Sequence, residues 1–343
     1  YFIPRSTIVT VNSASISQQD YRKLLAYTAQ DEWNSIQTKL TRYNDLTEKA
    51  MRGDTTGKTE FAVLTSQLQV AKQDYAQGSI TQHAIDVAVE DQLIQRGVSA
   101  ILKTHPDAKA QLVPVAADVD TRLKAFKAAF PKGQTYADFL SKNSMDESDV
   151  RTAITMYLRR DKMQGYLAGQ LTQTINQAHL RRIELGDSAT ATKILNQLKA
   201  QHLTDKSASW GDIAKVNSLD VDSKNAGGDM GFVAPGTSDA GIELWAFDPA
   251  RKVGDLSIVH TAGGTFDIVQ VLDFAQKQMT SEQLSAAQGN ALDHWLSGQR
   301  VAPSVTVGKA DTDALTASRN LPVTPDLNAT LPNFTPQVPT TSG

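Results

Sequence analysis

The chain has 343 residues, enough for two domains with cores of their own. Its 34 basic and 37 acidic side chains leave a net charge of -3, with no basic excess to suit nucleic acid and no acidic block to form a solvating tail. Cysteine is absent, which excludes disulfides, thiolate metal sites and cysteine nucleophiles; no apolar run approaches the roughly 18–20 residues of a membrane-spanning helix.

Thr7 to Val11 reads as a short β-branched strand ending in a turn at Asn12-Ser13. Ser17 then caps a helix with Asp20 in its first turn, and Tyr21, Leu24, Leu25, Thr28, Ile36, Leu40 and Tyr43 give it one apolar side. Gly53 to Gly57 interrupts, helical spacing resumes over Phe61 to Tyr75, and Gly78 interrupts again. Thr81 is a candidate cap for the next helix, whose stripe is Ile85, Val89, Leu93 and Ile94. Pro106 and Pro114 bracket a linker. Val119, Leu123, Phe126 and Phe130 make a further helix stopped by Pro131-Lys132-Gly133, Tyr136 to Leu140 a short one, and Asp149 to Ile175 a long one.

The pattern changes at His179. Leu180 to Leu185 alternates like a strand, Ala189 to Leu203 and Trp210 to Val216 are helical, and Ser218 to Phe232 is loop-like and rich in glycine. Ile242 to Phe247 is a short helix; Ser257 to Thr261 and Phe266 to Leu272 are strands joined by a hairpin turn at Gly263-Gly264. This order describes one small α+β domain. Ser281 to Arg300 is helical and Val305 to Val307 is a last strand. From Gly308 on, Pro, Thr, Asn and Asp dominate, and too little apolar surface is left to offset the entropy of ordering, so disorder is expected.

Within the loop-like stretch, Ser218-Leu219-Asp220 followed by Gly227-Gly228-Asp229-Met230-Gly231-Phe232 resembles the central signature of parvulin peptidyl-prolyl isomerases, a short acidic or thiol-bearing turn and then Gly-Gly-Asp-Leu-Gly-aromatic. Thr7 to Leu25, with Val11-Asn12-Ser13, resembles the opening of the SurA/PrsA/PpiD class of extracytoplasmic foldases, Ser13 standing where that class has glycine. Val87 to Val98, Val119 to Tyr166 and Leu292 to Leu296 with Val305 to Val307 resemble later parts of the same class in order. The resemblance implies an α+β chain: a mostly helical SurA-N-like chaperone body over 1–177, completed by 277–307, carrying an inserted parvulin-like domain of FKBP-like topology over 178–276, with 308–343 as a Pro/Thr-rich tail. It also implies clients, namely unfolded or nascent polypeptides with X-Pro segments, and a home outside the cytoplasm, secreted or anchored on the outer face of the cell membrane. The opening Tyr1-Phe2-Ile3-Pro4-Arg5 fits the residue of a removed signal or membrane anchor, or an arbitrary domain edge; the resemblance favours the first.

A parvulin rotates the bond before proline against a barrier of roughly 18–20 kcal/mol. No bond breaks, so an apolar clamp on the ring and a few polar groups at the carbonyl suffice. The family places a histidine on the first strand, an aspartate or cysteine before the glycine run, and a histidine on the last strand. Here Arg182 falls at the first histidine, Asp267 at the second, and only Asp220 matches. His179, three residues from Arg182, points to the opposite face by strand parity and is no replacement. Met230 and Phe247 match apolar positions of the proline pocket; the positions that complete it fall near Ser238 and Ile242. Because one histidine became a cation and the other an anion on neighbouring strands, an ion pair between Arg182 and Asp267 is expected; Asp267 shares a strand face with Val269 and Val271, where a carboxylate without a partner is costly.

Plainer readings stand beside these. Asp220 is equally a turn residue bonding its own loop, the glycines serve backbone conformation and do not hold phosphate, and residues such as Met230 and Phe247 are more often simple core than a ligand pocket. His83, His105, His202, His260 and His294 show no ligand spacing, so no metal or other cofactor is expected. His260 and Thr261 lie at the hairpin, within reach of the site rim or simply at a solvated strand end. Trp33, Trp210, Trp245 and Trp295 read as packing anchors. Two functional classes follow: a folding factor whose rotamase domain has weak or no catalysis, and an active peptidyl-prolyl isomerase of secreted proteins. A purely structural scaffold is a third.

Overall fold

The computed structural model describes residues 7–54, 56–75, 77–200, 208–311 and 313. Two compact units emerge, one built from residues up to Lys162 together with those from Pro303 on, the other from Met163–Ala302. The expected opening at Tyr1 to Arg5 and nearly all of the Pro/Thr-rich tail lie outside the described residues.

The first unit opens with a hairpin of β1 (Thr7–Val11) and β2 (Ala14–Ser17), turned by Asn12 at φ 53°. The Ser17 hydroxyl accepts the Asp20 N–H at 3.1 Å and so caps α1 (Gln18–Met51), as its sequence implies. α2 (Lys58–Asp74) and α3 (Gln77–Thr104) pack on it around the buried Tyr21, Leu25, Leu68 and Leu93. Thr81 does not cap α3: it lies one turn inside, its hydroxyl bonded back to the Gly78 carbonyl and its own carbonyl accepting the buried Tyr21 hydroxyl at 3.1 Å. The helix therefore runs through Gly78, where tertiary contacts outweigh the glycine penalty. The short α4 (Lys109–Leu112), α5 (Ala116–Ala128), α6 (Tyr136–Asn143) and α7 (Glu147–Gln170) follow. Phe126 of α5 stacks on Tyr27 at 4.9 Å between ring centres and meets Phe139 of α6 edge-on at 5.7 Å. Asp91, almost wholly buried on α3, is answered by Arg159 of α7 at 2.7 Å. From Pro303 on the chain returns to this unit, though not as the strand expected over Val305 to Val307: Val307 makes an isolated bridge to Val11, and the Thr306 carbonyl accepts the Asn12 N–H at 2.7 Å.

The second unit is organised on a four-stranded antiparallel sheet in the order β4-β3-β6-β5: β3 (Thr174–Leu185), β4 (Asp229–Val233), β5 (Leu256–His260) and β6 (Phe266–Gln278). Both central strands are longer than their apolar alternation announces. β3 begins at Thr174, so Ile175 is strand and not the end of a long helix, and β6 continues to Gln278. The added halves carry Asn176, Gln177, Gln276 and Lys277, whose composition signals no strand; their pairing along the full length of the two strands makes one of them. On one face lie α8 (Ser188–Ala200) and α9 (Ala208–Asn217), burying Ile183, Leu185 and Ile268 against Ile194, Leu198 and Trp210. On the other lies α10 (Ala240–Ala246), burying Leu180, Val269 and Val271 against Ile242 and Ala246.

The C-terminal helical stretch is broken at Asn290 into α11 (Ser281–Gly289) and α12 (Ala291–Val301). Both belong to the second unit, where the resemblance placed them with the helical body. Leu284 packs with Leu171 and Ile175 around Met279 and Ala287, and the Gln164 side chain binds the junction, donating to the Gln288 carbonyl at 2.5 Å and accepting the Leu292 N–H at 2.7 Å. Among the described residues no helix is long and apolar enough to cross a membrane.

Candidate functional site

Strand parity sets the site. Leu180, Arg182 and Glu184 of β3 point to the α10 face, and their partners across the ladder are Val271, Val269 and Asp267 of β6. This face thus runs from an apolar pair, Leu180 and Val271, through the mixed pair of Arg182 and Val269 to a charged pair, Glu184 and Asp267. Arg181 turns to the opposite face, where its guanidinium lies over the Trp210 ring at 4.1 Å and donates to the Gln270 amide oxygen at 2.8 Å. His179 also faces away from the site: it bonds Asp229 at 2.7 Å and stacks on Phe232 at 4.9 Å, the place parity gives it.

The loop after α9 brings the third element. Leu219 N–H donates to the Glu184 carbonyl at 2.9 Å, and the Ser218 hydroxyl accepts the Glu184 N–H at 3.0 Å, so the loop is sewn to the end of β3. Gly227 and Gly228, at φ 73° and 80°, then turn the chain back; the Gly228 carbonyl accepts the Arg182 N–H at 2.8 Å. A Cβ on Gly228 would lie 2.3 Å from the Arg182 carbonyl oxygen, so only glycine fits. Gly231 also has positive φ, 68°, with open space where its Cβ would be. The signature therefore contains one glycine needed for room and another needed for conformation alone.

Arg182 is the centre of what results. Its Nε donates to Asp220 at 2.9 Å, its Nη1 to Asp267 at 3.2 Å, and its Nη2 lies 3.5 Å from Glu184. The ion pair expected across the strands is present, and two further carboxylates join it. Asp220 also accepts the Ser223 hydroxyl and, at 3.1 Å, the Asp222 N–H, so it is loop cap and ion-pair partner at once. Asp267 accepts the Thr265 hydroxyl at 3.1 Å, and Thr265 in turn meets the Thr261 hydroxyl at 2.7 Å. Thr261 thus reaches the cluster through Thr265, whereas His260 lies tilted against the Phe266 ring at the exposed strand end. Glu184, Ser223 and Thr265 were not singled out by sequence reasoning. For Glu184 the signal was available, since it lies two residues from Arg182 on the same strand face.

The two aspartates titrate in opposite directions. Burial pushes Asp220 up, but the bonds from Arg182 and Ser223, the guanidinium charge and the Asp222 N–H outweigh it and bring it down to about 2. Asp267, fully buried, is pushed up to about 6 by desolvation, which Arg182 and Thr265 only partly oppose. Measured against an unfolded carboxyl near about 3.9, Asp220 supplies stability above about pH 4 that is lost as pH falls towards 2. Asp267 does the reverse: its contribution is complete below about pH 4 and lost as pH rises through 6. A carbon-13 carboxyl titration is expected to show two aspartates separated in this order, and coincident midpoints near 4 would contradict the cluster.

The apolar end differs in detail from the expectation. Met230 and Phe247 pack at the edge of the cluster formed by Leu180, Val269 and Ile242, partly exposed, together with Trp245 and Phe274. Ile242 is fully buried inside that cluster, so it supports the pocket from below and is not reached from outside. Ser238 is half-buried; its N–H donates to the buried Glu243 carboxylate at 2.6 Å, which also accepts the Gly236 N–H and meets His294 Nδ1 at 2.6 Å.

Residues 178–273, which carry the Arg182 cluster, Met230 and Phe247, match the family model of the PPIC-type PPIase domain, the rotamase family. This stretch is a parvulin-type domain, and the chain as a whole is an α+β protein that joins it to a helical unit. Among solved structures the chain is similar to the peptidylprolyl isomerase PrsA of Bacillus anthracis, at 19% identity over 68% of this chain and 94% of that one, with a TM-score of 0.32. It is similar to the foldase protein PrsA of Streptococcus pneumoniae at 19% identity, over 70% and 84% with a TM-score of 0.26. A SurA-like chaperone of Campylobacter jejuni is matched at 19% identity over 86% and 93%, with a TM-score of 0.27. No curated protein matches the sequence.

Proposed function

We propose that the protein is an extracytoplasmic folding factor whose parvulin-type domain binds X-Pro segments of unfolded polypeptides and isomerises them weakly or not at all. The observation that carries this reading is the state of Arg182. Rotation is accelerated by groups held ready for the twisted amide, but here the guanidinium faces three carboxylates and Asp220 is occupied by Arg182, Ser223 and Asp222. The polar end satisfies itself, while the apolar end, with Met230 and Phe247 at its edge, still offers a surface to a proline ring. Anchoring on the outer face of a membrane is part of the same reading and follows the resemblance of the sequence to extracytoplasmic foldases.

One observation favours the alternative of an active isomerase: Asp220 keeps its family position and its low pKa, and bond rotation needs no titratable group. NMR exchange spectroscopy on a short X-Pro peptide separates the two. The expected result with the intact protein is broadening of the peptide resonances by binding, with cis–trans exchange near its uncatalysed time of tens to hundreds of seconds. Strong acceleration that Asp220→Ala abolishes would establish the enzyme instead.

A further inference from the structure

The charged end of the site is unbalanced. Glu184, Asp220 and Asp267 surround a single guanidinium, a formal -2 when all three are ionised. Asp222 and Lys224 on the adjoining loop offset one another. Asp267 is closed off and Asp220 almost so, whereas Glu184 keeps 23% of its side chain exposed beside Arg182 at 21%. A segment lying along the apolar end therefore meets a net negative field, with Glu184 as the group it can touch.

The loop beside the cluster is inverted in polarity. Ser218 and Asp220 point inward and are buried, while Leu219 and Val221 are 57% and 68% exposed, and Val216, near the end of α9, is 82% exposed. Polar groups inside and apolar groups outside is the reverse of what water alone favours, and it places an apolar rim next to an anionic centre. Apolar rim, apolar cluster and negative field together describe one occupant by charge complementarity.

We propose that this site selects proline-containing segments with a lysine or arginine beside the proline and apolar residues around it, and discriminates against segments in which that position is acidic or phosphorylated. This rests on the reading of the domain as an X-Pro binder and adds which X it takes. Glu184 is the specificity-determining residue that touches the incoming side chain, and Arg182 restrains the field without reversing it.

The test uses the intact protein and three peptides with identical apolar flanks, carrying Lys-Pro, Ala-Pro or Glu-Pro, with dissociation constants read from fluorescence anisotropy. At low ionic strength the Lys-Pro peptide is expected to bind on the order of tenfold or more tighter than Glu-Pro, with Ala-Pro between. The ratio should shrink towards unity at about 0.5 M salt, where screening acts within a few ångströms. Glu184→Gln should narrow the ratio and Glu184→Lys should invert it. Equal binding of the three peptides, or a preference unchanged in Glu184→Lys, overturns the inference and leaves the X-Pro reading standing. Failure of all three to bind overturns both.

Discussion

Replacing Arg182 by alanine is expected to cost the second unit about 3–5 kcal/mol of stability at pH 7.5, and clearly less at pH 5. Asp267 has no exposed side-chain surface, and among the described residues it accepts from Arg182 and the Thr265 hydroxyl. Removing the guanidinium leaves a buried carboxylate without a counter-charge, which is the expensive outcome for a buried pair. Desolvation then acts unopposed by that charge, so the Asp267 pKa moves above its present value of about 6. At pH 5 the carboxyl takes up a proton in place of the guanidinium and the penalty falls. Asp220 loses a partner too, but it keeps the Ser223 hydroxyl and the Asp222 N–H. Urea unfolding at the two pH values measures the difference, and Arg182→Ala combined with Asp267→Ala should recover part of the loss. Identical losses at both pH values would mean that the aliphatic stem of Arg182, and not its charge, holds the strands.

The second large effect is expected at Gly228. Gly228→Ala combines φ 80° with a Cβ placed 2.3 Å from the backbone carbonyl oxygen of Arg182 and 3.3 Å from the Trp210 indole nitrogen. Neither neighbour is the end of a flexible chain: one is strand backbone and the other a fully buried ring. The loop must therefore lift from β3, breaking the Arg182 N–H bond to the Gly228 carbonyl and moving Asp220 away from Arg182. A loss of about 3 kcal/mol or more is expected, combining left-handed strain with overpacking. Gly231→Ala, with the same sign of φ and nothing within 4 Å, should lose only about 1 kcal/mol. Thermal unfolding of the two variants side by side tests the distinction, and equal losses would show that conformation alone, not room, restricts Gly228.

Much of this protein was legible as sequence. Local signals carry their own geometry: Ser17 three residues before Asp20 caps a helix wherever it stands, and Gly263-Gly264 between two alternating runs turns a hairpin. The glycine signature located the domain, the resemblance to the parvulin sheet set Arg182 and Asp267 on neighbouring strands, and strand parity turned His179 away, because a period of two is a property of the extended chain itself. What the tertiary structure decided is of another kind. The polar halves of β3 and β6 become strand only because each supplies the other's hydrogen bonds. The helices α11 and α12 join the second unit because Gln164, Leu171 and Ile175, far away in sequence, meet them there. Asp220 completes the Arg182 cluster only after a loop with positive-φ glycines folds back onto the strand. Periodicity is written in each segment separately, whereas burial, partners and the pKa values that follow from them depend on which segments come to lie against one another.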